Sequence, residues 1–368
     1  MNTLKNRLAF GCLALGCSAA ALAQSSGVQL SGQIGSSVSV KTHQGAGNTN
    51  QVEVTDNTLW TSYLRMSGVE DLGGGMKAMF RLEQALIPDT GNAGGNGVGG
   101  NKLWNRQSWV GLQFGAAGTV TLGRQFHAST DRAIRTLDVH QLAGSALHVT
   151  PMAAFGVNRF SNNDNRVDNS VKYRVTVPKV IEFGASVGAG EGTTGSSYSV
   201  DVAHGNQNYE VGAMYVHYDA NDRLANLQMP QLTLWAIGGN VKLGAFRPYL
   251  SYFDGAMDSI IVGRRTQKNK IIDVGLAWDI TPVFRVTIAG YLDTGKDLNG
   301  IAGRDGKKHT YVVGGYYALS KRTELNIALF DNAYTDGYKQ ETLNIAALNR
   351  NPSASSTGGM SLGIRHLF

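Results

Sequence analysis

Apolar and polar residues alternate along most of this chain, and the period is two. Across 270–278, Ile272, Val274, Leu276 and Trp278 share one face. Across 283–292, Phe284, Val286, Ile288 and Gly290 oppose Val283, Arg285, Thr287 and Ala289. The stretches 118–125, 311–319 and 325–330 behave alike. The closing GGMSLGIRHLF sets Met360, Leu362, Ile364, His366 and Phe368 against Ser361, Gly363, Arg365 and Leu367. Side chains with this period lie on opposite faces of extended strands. Sixteen such segments can be marked out, each of about ten residues, the length that crosses a bilayer when a strand tilts near 45°.

The connections sort by length. Short ones carry turn residues: 71–75 (DLGGG), 115–118, Pro178-Lys179, Gly205-Asn206, Thr281-Pro282 and Ser320-Lys321. Between them lie long polar stretches at 41–57, 88–102, 295–308 and 335–357. This sorting predicts an all-β, 16-stranded antiparallel transmembrane β-barrel with short periplasmic turns and long external loops. In a closed barrel the last strand pairs with the first and leaves no edge. Met360, Leu362, Ile364 and Phe368 should then face lipid, with Ser361 and Arg365 facing water inside. His366 should sit at the interface, where amphipathic rings are tolerated.

The start of the chain says how it reaches a membrane. Lys5 and Arg7 precede the apolar run 8–15, and Ala21-Leu22-Ala23 precedes Gln24. That is the build of a cleaved signal peptide over 1–23, leaving 24–368 as one barrel domain. The apolar run is too short to span a bilayer core of about 30 Å as a helix. Both cysteines, Cys12 and Cys17, fall inside this leader, so the exported chain has no thiol for a disulfide or a Cys-ligated metal. The formal net charge is +6, of which Lys5 and Arg7 carry two; the excess bears on field and partners, not on fold.

Several stretches resemble a known family: SGVEDLGGGMKAMFRLE (67–83), NRQSWVGLQFGAAGTVTLGRQ (105–125), DNSVKY (168–173), YALSKRTELN (317–326) and the terminal LGIRHLF. In this order and spacing they resemble the general porins of Gram-negative outer membranes, in particular the trimeric β-proteobacterial type. The resemblance implies a water-filled barrel in the outer membrane that assembles as a homotrimer, contacting outer-membrane lipid and lipopolysaccharide. It passes small anions and hydrophilic solutes and needs no cofactor and no nucleic acid. The last strand, with Leu362, Ile364, His366 and Phe368, resembles the signal read by the barrel-assembly machinery.

A pore needs a polar lumen, a constriction and charges whose field selects ions. The longest strand-free interval of the first half, 126–165, is expected to be the inward-folded third loop of a porin, although it lacks the Pro-Glu-Phe-Gly-Gly motif of some members. It carries Asp131 and Asp138, with Asp164 at its far end. Opposite these acids the family has a ladder of arginines. Arg106 and Arg166 fit that ladder, and Arg65, Arg81 and Lys172 alternate inward; Tyr63 stands where the family has an arginine. Arg132 and Arg135 lie in the loop and should add positive charge. A basic cluster in a low-dielectric wall concentrates anions, so weak to moderate anion preference is expected.

Other motifs do not develop. The Gly-rich 91–102 lacks the GxxxxGK[ST] order and links no strand to a helix. The eight histidines show no HxxxH spacing for a metal; His127, His140 and His148 share the presumed loop and are read as solvated rather than as a pH gate. Alternatives within transport and outside it stay open: a substrate-selective channel, an outer-membrane barrel enzyme, for which no nucleophile and base stand in a recognisable motif, or a soluble exported sandwich.

Overall fold

The alternating segments form sixteen strands that close into one antiparallel barrel. The computed structural model describes residues 27–93, 102–140, 166–191, 195–220 and 230–368; the leader expected at 1–23 lies outside them. The first half comprises β1 Gly27–Gln44, β2 in two pieces (Thr49–Asp56 and Tyr63–Gly73), β3 Met76–Ile87, β4 Gln107–Phe114, β5 Thr119–Phe126, β6 Arg166–Val177, β7 Ile181–Gly188 and β8 Ser197–Gly205. The second comprises β9 Tyr209–Tyr218, β10 Leu232–Val241, β11 Phe246–Met257, β12 Gln267–Thr281, β13 Phe284–Lys296, β14 Gly306–Ala318, β15 Thr323–Tyr334 and β16 Ser356–Leu367.

Closure is made by the ends. β1 pairs with β16 from Gln33↔Leu367 to Lys41↔Gly359. Beyond that register Gly32 N donates to Phe368 O at 2.9 Å, and Phe368 N donates back to Gly32 O at 3.1 Å. Met360, Leu362, Ile364 and Phe368 are exposed on the outer wall while Ser361 is buried, as alternation requires.

One expected loop is a strand pair. The stretch 41–57 forms a hairpin turning at 45–48, with β1 and the upper piece of β2 in register from Ser36↔Asp56 to Lys41↔Gln51. Val52 and Val54 carry the alternation that its polar composition concealed. Between the two pieces of β2 the chain leaves the wall. Asp56 Oδ1 accepts from Asn57 N and from Ser62 Oγ, and Asn57 Oδ1 accepts from Leu59 N, an arrangement of Asx turns. This flap, 57–62, turns into the barrel and buries Leu59.

The lumen is not uniformly wet, contrary to the simple expectation of a barrel apolar outside and polar inside. Met214, Val216, Leu232, Leu234, Phe253 and Ile271 face inward on β9–β12 and are buried in one apolar cluster with Leu137, Val139 and Leu59. The segment after β5, containing α1 (Ala128–Arg132) and a turn over Ala133–Leu137, therefore packs on an apolar inner wall. Gly275 makes room for it: a Cβ there would stand 2.7 Å from Val139 Cγ1. The described part of the segment is thus inside the barrel, and 141–165 lies outside the described residues.

Candidate functional site

The opposite wall is charged. Glu83, inward on β3, is buried beneath three guanidinium groups: Arg65 Nε at 2.9 Å, Arg81 Nη2 at 2.5 Å and Arg106 Nε at 2.6 Å. Arg65 reaches it because β2 and β3 pair Arg65 with Glu83 in register. The Tyr63 ring, one step along, lies 4.6 Å from the Arg65 guanidinium and 5.2 Å from that of Arg106, within cation–π range. The Glu83 side chain is 1% exposed, whereas those of Arg65 and Arg81 are 27% and 28% exposed. The lumen therefore meets the cations, and the acid acts as their counter-charge from behind.

A second group adjoins the first. Asp168 on β6 accepts from Arg124 Nη1 at 2.6 Å and from Lys102 Nζ at 2.5 Å. The Arg166 guanidinium stands 4.3 Å from the centre of the Phe126 ring. The two groups bring together six cationic side chains and two carboxylates.

Two of these arginines defeat simple alternation. Arg106 has the parity of Val110, which faces outward, so the alternation that seemed to aim it inward does not. It points inward because it precedes β4, where its backbone N still bonds Glu83 O at 3.0 Å. Arg124 likewise shares parity with the exposed Leu122. A register shift between Gly123 and Gln125, with Gly123 at φ +128°, re-aims it, as bulges do. Arg124, Lys102 and Glu83 were not singled out from the sequence; an acid with arginines two residues away and on the paired strand was the signal for Glu83.

The inward segment meets a differently charged wall. Asp131 accepts from Lys172 Nζ at 2.8 Å and lies 3.4 Å from Arg174 Nη2, so this loop acid does face wall bases. Arg132 and Arg135 do not add free positive charge. Arg132 is buried, with Asp201 at 3.0 Å, Glu210 at 2.7 Å and Glu182 at 3.4 Å. Arg135 pairs with Glu182 at 2.8 Å. The acids of β7–β9 were missed, and they turn these arginines into anchors. Asp138 accepts from Tyr291 OH at 2.7 Å on β13 and from His140 N at 2.9 Å. Asp164 lies outside the described residues.

The two described histidines of this segment, His127 and His140, are buried rather than solvated. His127 is buried between Ser186 Oγ at 2.7 Å and Ser197 Oγ at 3.0 Å. Burial, and then the nearby charge of Lys172, push its pKa down to about 3. Burial also lowers that of His140. His148 lies outside the described residues. Among the described residues no group of three His, Cys, Asp or Glu side chains is placed to hold a metal.

Two recesses flank the segment. One of about 370 Å³ is lined by Trp109, Gln113, Asp131, Lys172 and Arg174. The other, about 270 Å³, lies beside the flap: Trp60 Nε1 donates to Glu324 Oε1 at 3.0 Å, and the Arg365 guanidinium stacks 3.8 Å from the Trp60 ring.

A closed sixteen-stranded barrel, apolar outside and holding water-accessible charge within, is a transmembrane diffusion channel. A profile described as Gram-negative porin matches residues 9–337, and the chain belongs to that family. It is similar to outer membrane porin protein 32 of Delftia acidovorans, 28% identical over 374 residues that cover 96% of this chain and 97% of the relative. It is 26% identical to the major outer membrane protein P.IB of Neisseria gonorrhoeae, over 71% of this chain and 75% of that one. Among solved structures, an anion-selective porin from Comamonas acidovorans superimposes with a TM-score of 0.75 at 22% identity, covering 93% of this chain and all of that one. The protein resides in the outer membrane and forms a water-filled channel for passive diffusion of small hydrophilic solutes and ions.

Proposed function

We propose that this channel prefers anions, weakly to moderately, and conducts as a general diffusion pore rather than acting as an enzyme. The carrying observation is the arrangement around Glu83, where one buried carboxylate holds three arginines whose outer ends face the lumen. The neighbouring Arg124, Lys102 and Arg166 extend the field, and a basic cluster of this kind raises local anion concentration. In this reading 126–165 is the constriction loop, with Asp131 against Lys172 and Arg174 setting a transverse field across part of the opening. Similarity to the anion-selective porin from Comamonas acidovorans supports the same reading. Single-channel conductance tests it: replacing chloride with a bulky anion should reduce conductance more than replacing potassium with lithium.

The assembly is a homotrimer in the same proposal. Outward aromatic residues crowd β8–β14, with Tyr198, Trp235, Trp278, Tyr311 and Tyr317 exposed, while β1 and β2 present aliphatic Val28, Leu30, Ile34, Val38 and Val54. Aromatic residues mark lipid interfaces, so the aliphatic side suits contact with other copies. Conductance rising in steps of three would support this; steps of one would not. The last strand, through Leu362, Ile364, His366 and Phe368, is the recognition element for barrel assembly, and 1–23 is the export leader.

A substrate-selective channel is the second reading. It is favoured by the recess where Trp60, Tyr316, Arg365 and Glu324 combine aromatic faces with both charges. Unequal block of the current by small neutral and charged aromatic solutes would select it.

A further inference from the structure

Beside the flap the lumen wall changes character. The recess of about 270 Å³ lies at the end of the barrel that carries the tight turns 282–283 and 319–322, and Val139 of the inward segment closes its other side. Its charged side chains come from a row set by strand register. Asp279 on β12 lies opposite Arg285 on β13, which lies opposite Tyr316 on β14, and Glu324 on β15 lies opposite Arg365 on β16. Each acid is closed on its neighbour. Asp279 Oδ1 accepts from Arg285 Nε at 2.5 Å, and Glu324 Oε2 accepts from Arg365 Nη2 at 3.0 Å. Two acids meet two bases, and His140, whose pKa burial lowers, adds no charge at neutral pH. The recess thus lacks the positive excess of the wall around Glu83, where three arginines share one acid. Aromatic rings complete it: Trp60 and Tyr316 meet edge to face with centres 6.0 Å apart. The indole is fixed twice, by its hydrogen bond to Glu324 and by the Arg365 guanidinium against one face. Little of its freedom is left to lose on binding.

We propose that this recess, on the substrate-selective reading of the channel, is a subsite for a neutral monosaccharide in its ring form. Charge balance chooses the class. An anion reaches Arg285 or Arg365 only by displacing Asp279 or Glu324, and a cation must displace a guanidinium. Hydroxyl groups instead donate to carboxylates and accept from guanidinium groups while both pairs stay intact. Arg365 Nε is buried without an acceptor among the described residues, so the inner pair keeps a donor unused. The C–H face of a sugar ring is apolar and is sheltered from water by the Trp60–Tyr316 corner. At about 270 Å³ the space falls just under the ~300 Å³ at which sites for drug-sized ligands begin, which suits one sugar ring rather than an oligosaccharide.

Current block in planar bilayers tests the proposal, with D-glucose, the open-chain polyol mannitol, benzoate and phenylalanine as probes. Glucose should halve the wild-type current at a concentration at least about fivefold below that of mannitol. The variant Tyr316→Leu, and separately D279N/R285Q, should bring glucose to the level of mannitol, with folding of each verified by its migration on unheated gels. Equal block by glucose and mannitol in the wild type would overturn the proposal even if both variants failed to fold. Undiminished glucose block in the folded variants would also overturn it. Block by benzoate or phenylalanine that exceeds that by glucose and disappears in Tyr316→Leu would overturn the sugar assignment and leave a selective channel. No Tyr316-dependent block by any of the four probes would overturn both.

Discussion

Arg132 Nε and Asp201 Oδ1 meet at 3.0 Å with neither side chain exposed. This contact fixes the inward segment to β8, and Glu210 and Glu182 complete the seat. Breaking a buried pair by removing one partner costs about 3–5 kcal/mol, because the other charge is left uncompensated. Arg132→Met should therefore loosen the segment, giving a larger and noisier single-channel conductance and a lower unfolding temperature. Arg132→Lys should recover part of the stability; a quiet wild-type current in Arg132→Met would show that the segment is held by other means.

Glu83 restrains the field it organises. Glu83→Gln keeps the shape but leaves Arg65, Arg81 and Arg106 without their shared counter-charge. The variant should be more anion-selective than wild type and less stable. Arg65→Gln combined with Arg81→Gln should shift selectivity the opposite way. Zero-current potentials across a salt gradient read both changes, and a shift of the same sign in both variants would contradict the assignment.

His127 should make the barrel acid-sensitive without gating it. Its pKa falls from an ordinary 6.5 to about 3 through burial. Between those values the unfolded chain binds a proton that the folded chain does not. Stability at this position is full above pH 6.5 and falls on acidification, by up to about 1.4 kcal/mol per pH unit. Refolding equilibria at pH 7 and 4.5 should show a smaller loss in His127→Gln than in wild type, with unitary conductance unaffected by this residue over the same range.

Gly32 and Phe368 seal the barrel. A Cβ on Gly32 would stand 2.7 Å from the Phe368 ring and 2.4 Å from Tyr63 O. Gly32→Val should displace the terminal strand and reduce the yield of folded barrel on unheated gels, and deletion of Phe368 should do the same through loss of the two closing hydrogen bonds. Unchanged yields would separate closure from folding.

The fold was legible in the sequence because a period of two is local. The outward row of β12 and the closing strand could be read directly, and their burial pattern matches. Arg65, Arg81 and Lys172 follow the same period. What escaped it depends on departures from the period: the bulge that turns Arg124, the strand start that turns Arg106, and the flap that carries Leu59 inward. The surroundings of Arg132 escaped for another reason. A loop residue has no parity, and its partner is set by which wall it packs on. The apolar inner faces of β9–β12 chose that wall.

The most direct test is the zero-current potential of the wild-type channel in a planar bilayer across a tenfold KCl gradient. The arginines gathered over Glu83 predict a sign showing chloride more permeant than potassium, weakening as salt screens the lumen. A potential of the opposite sign, with potassium clearly favoured, would contradict the account.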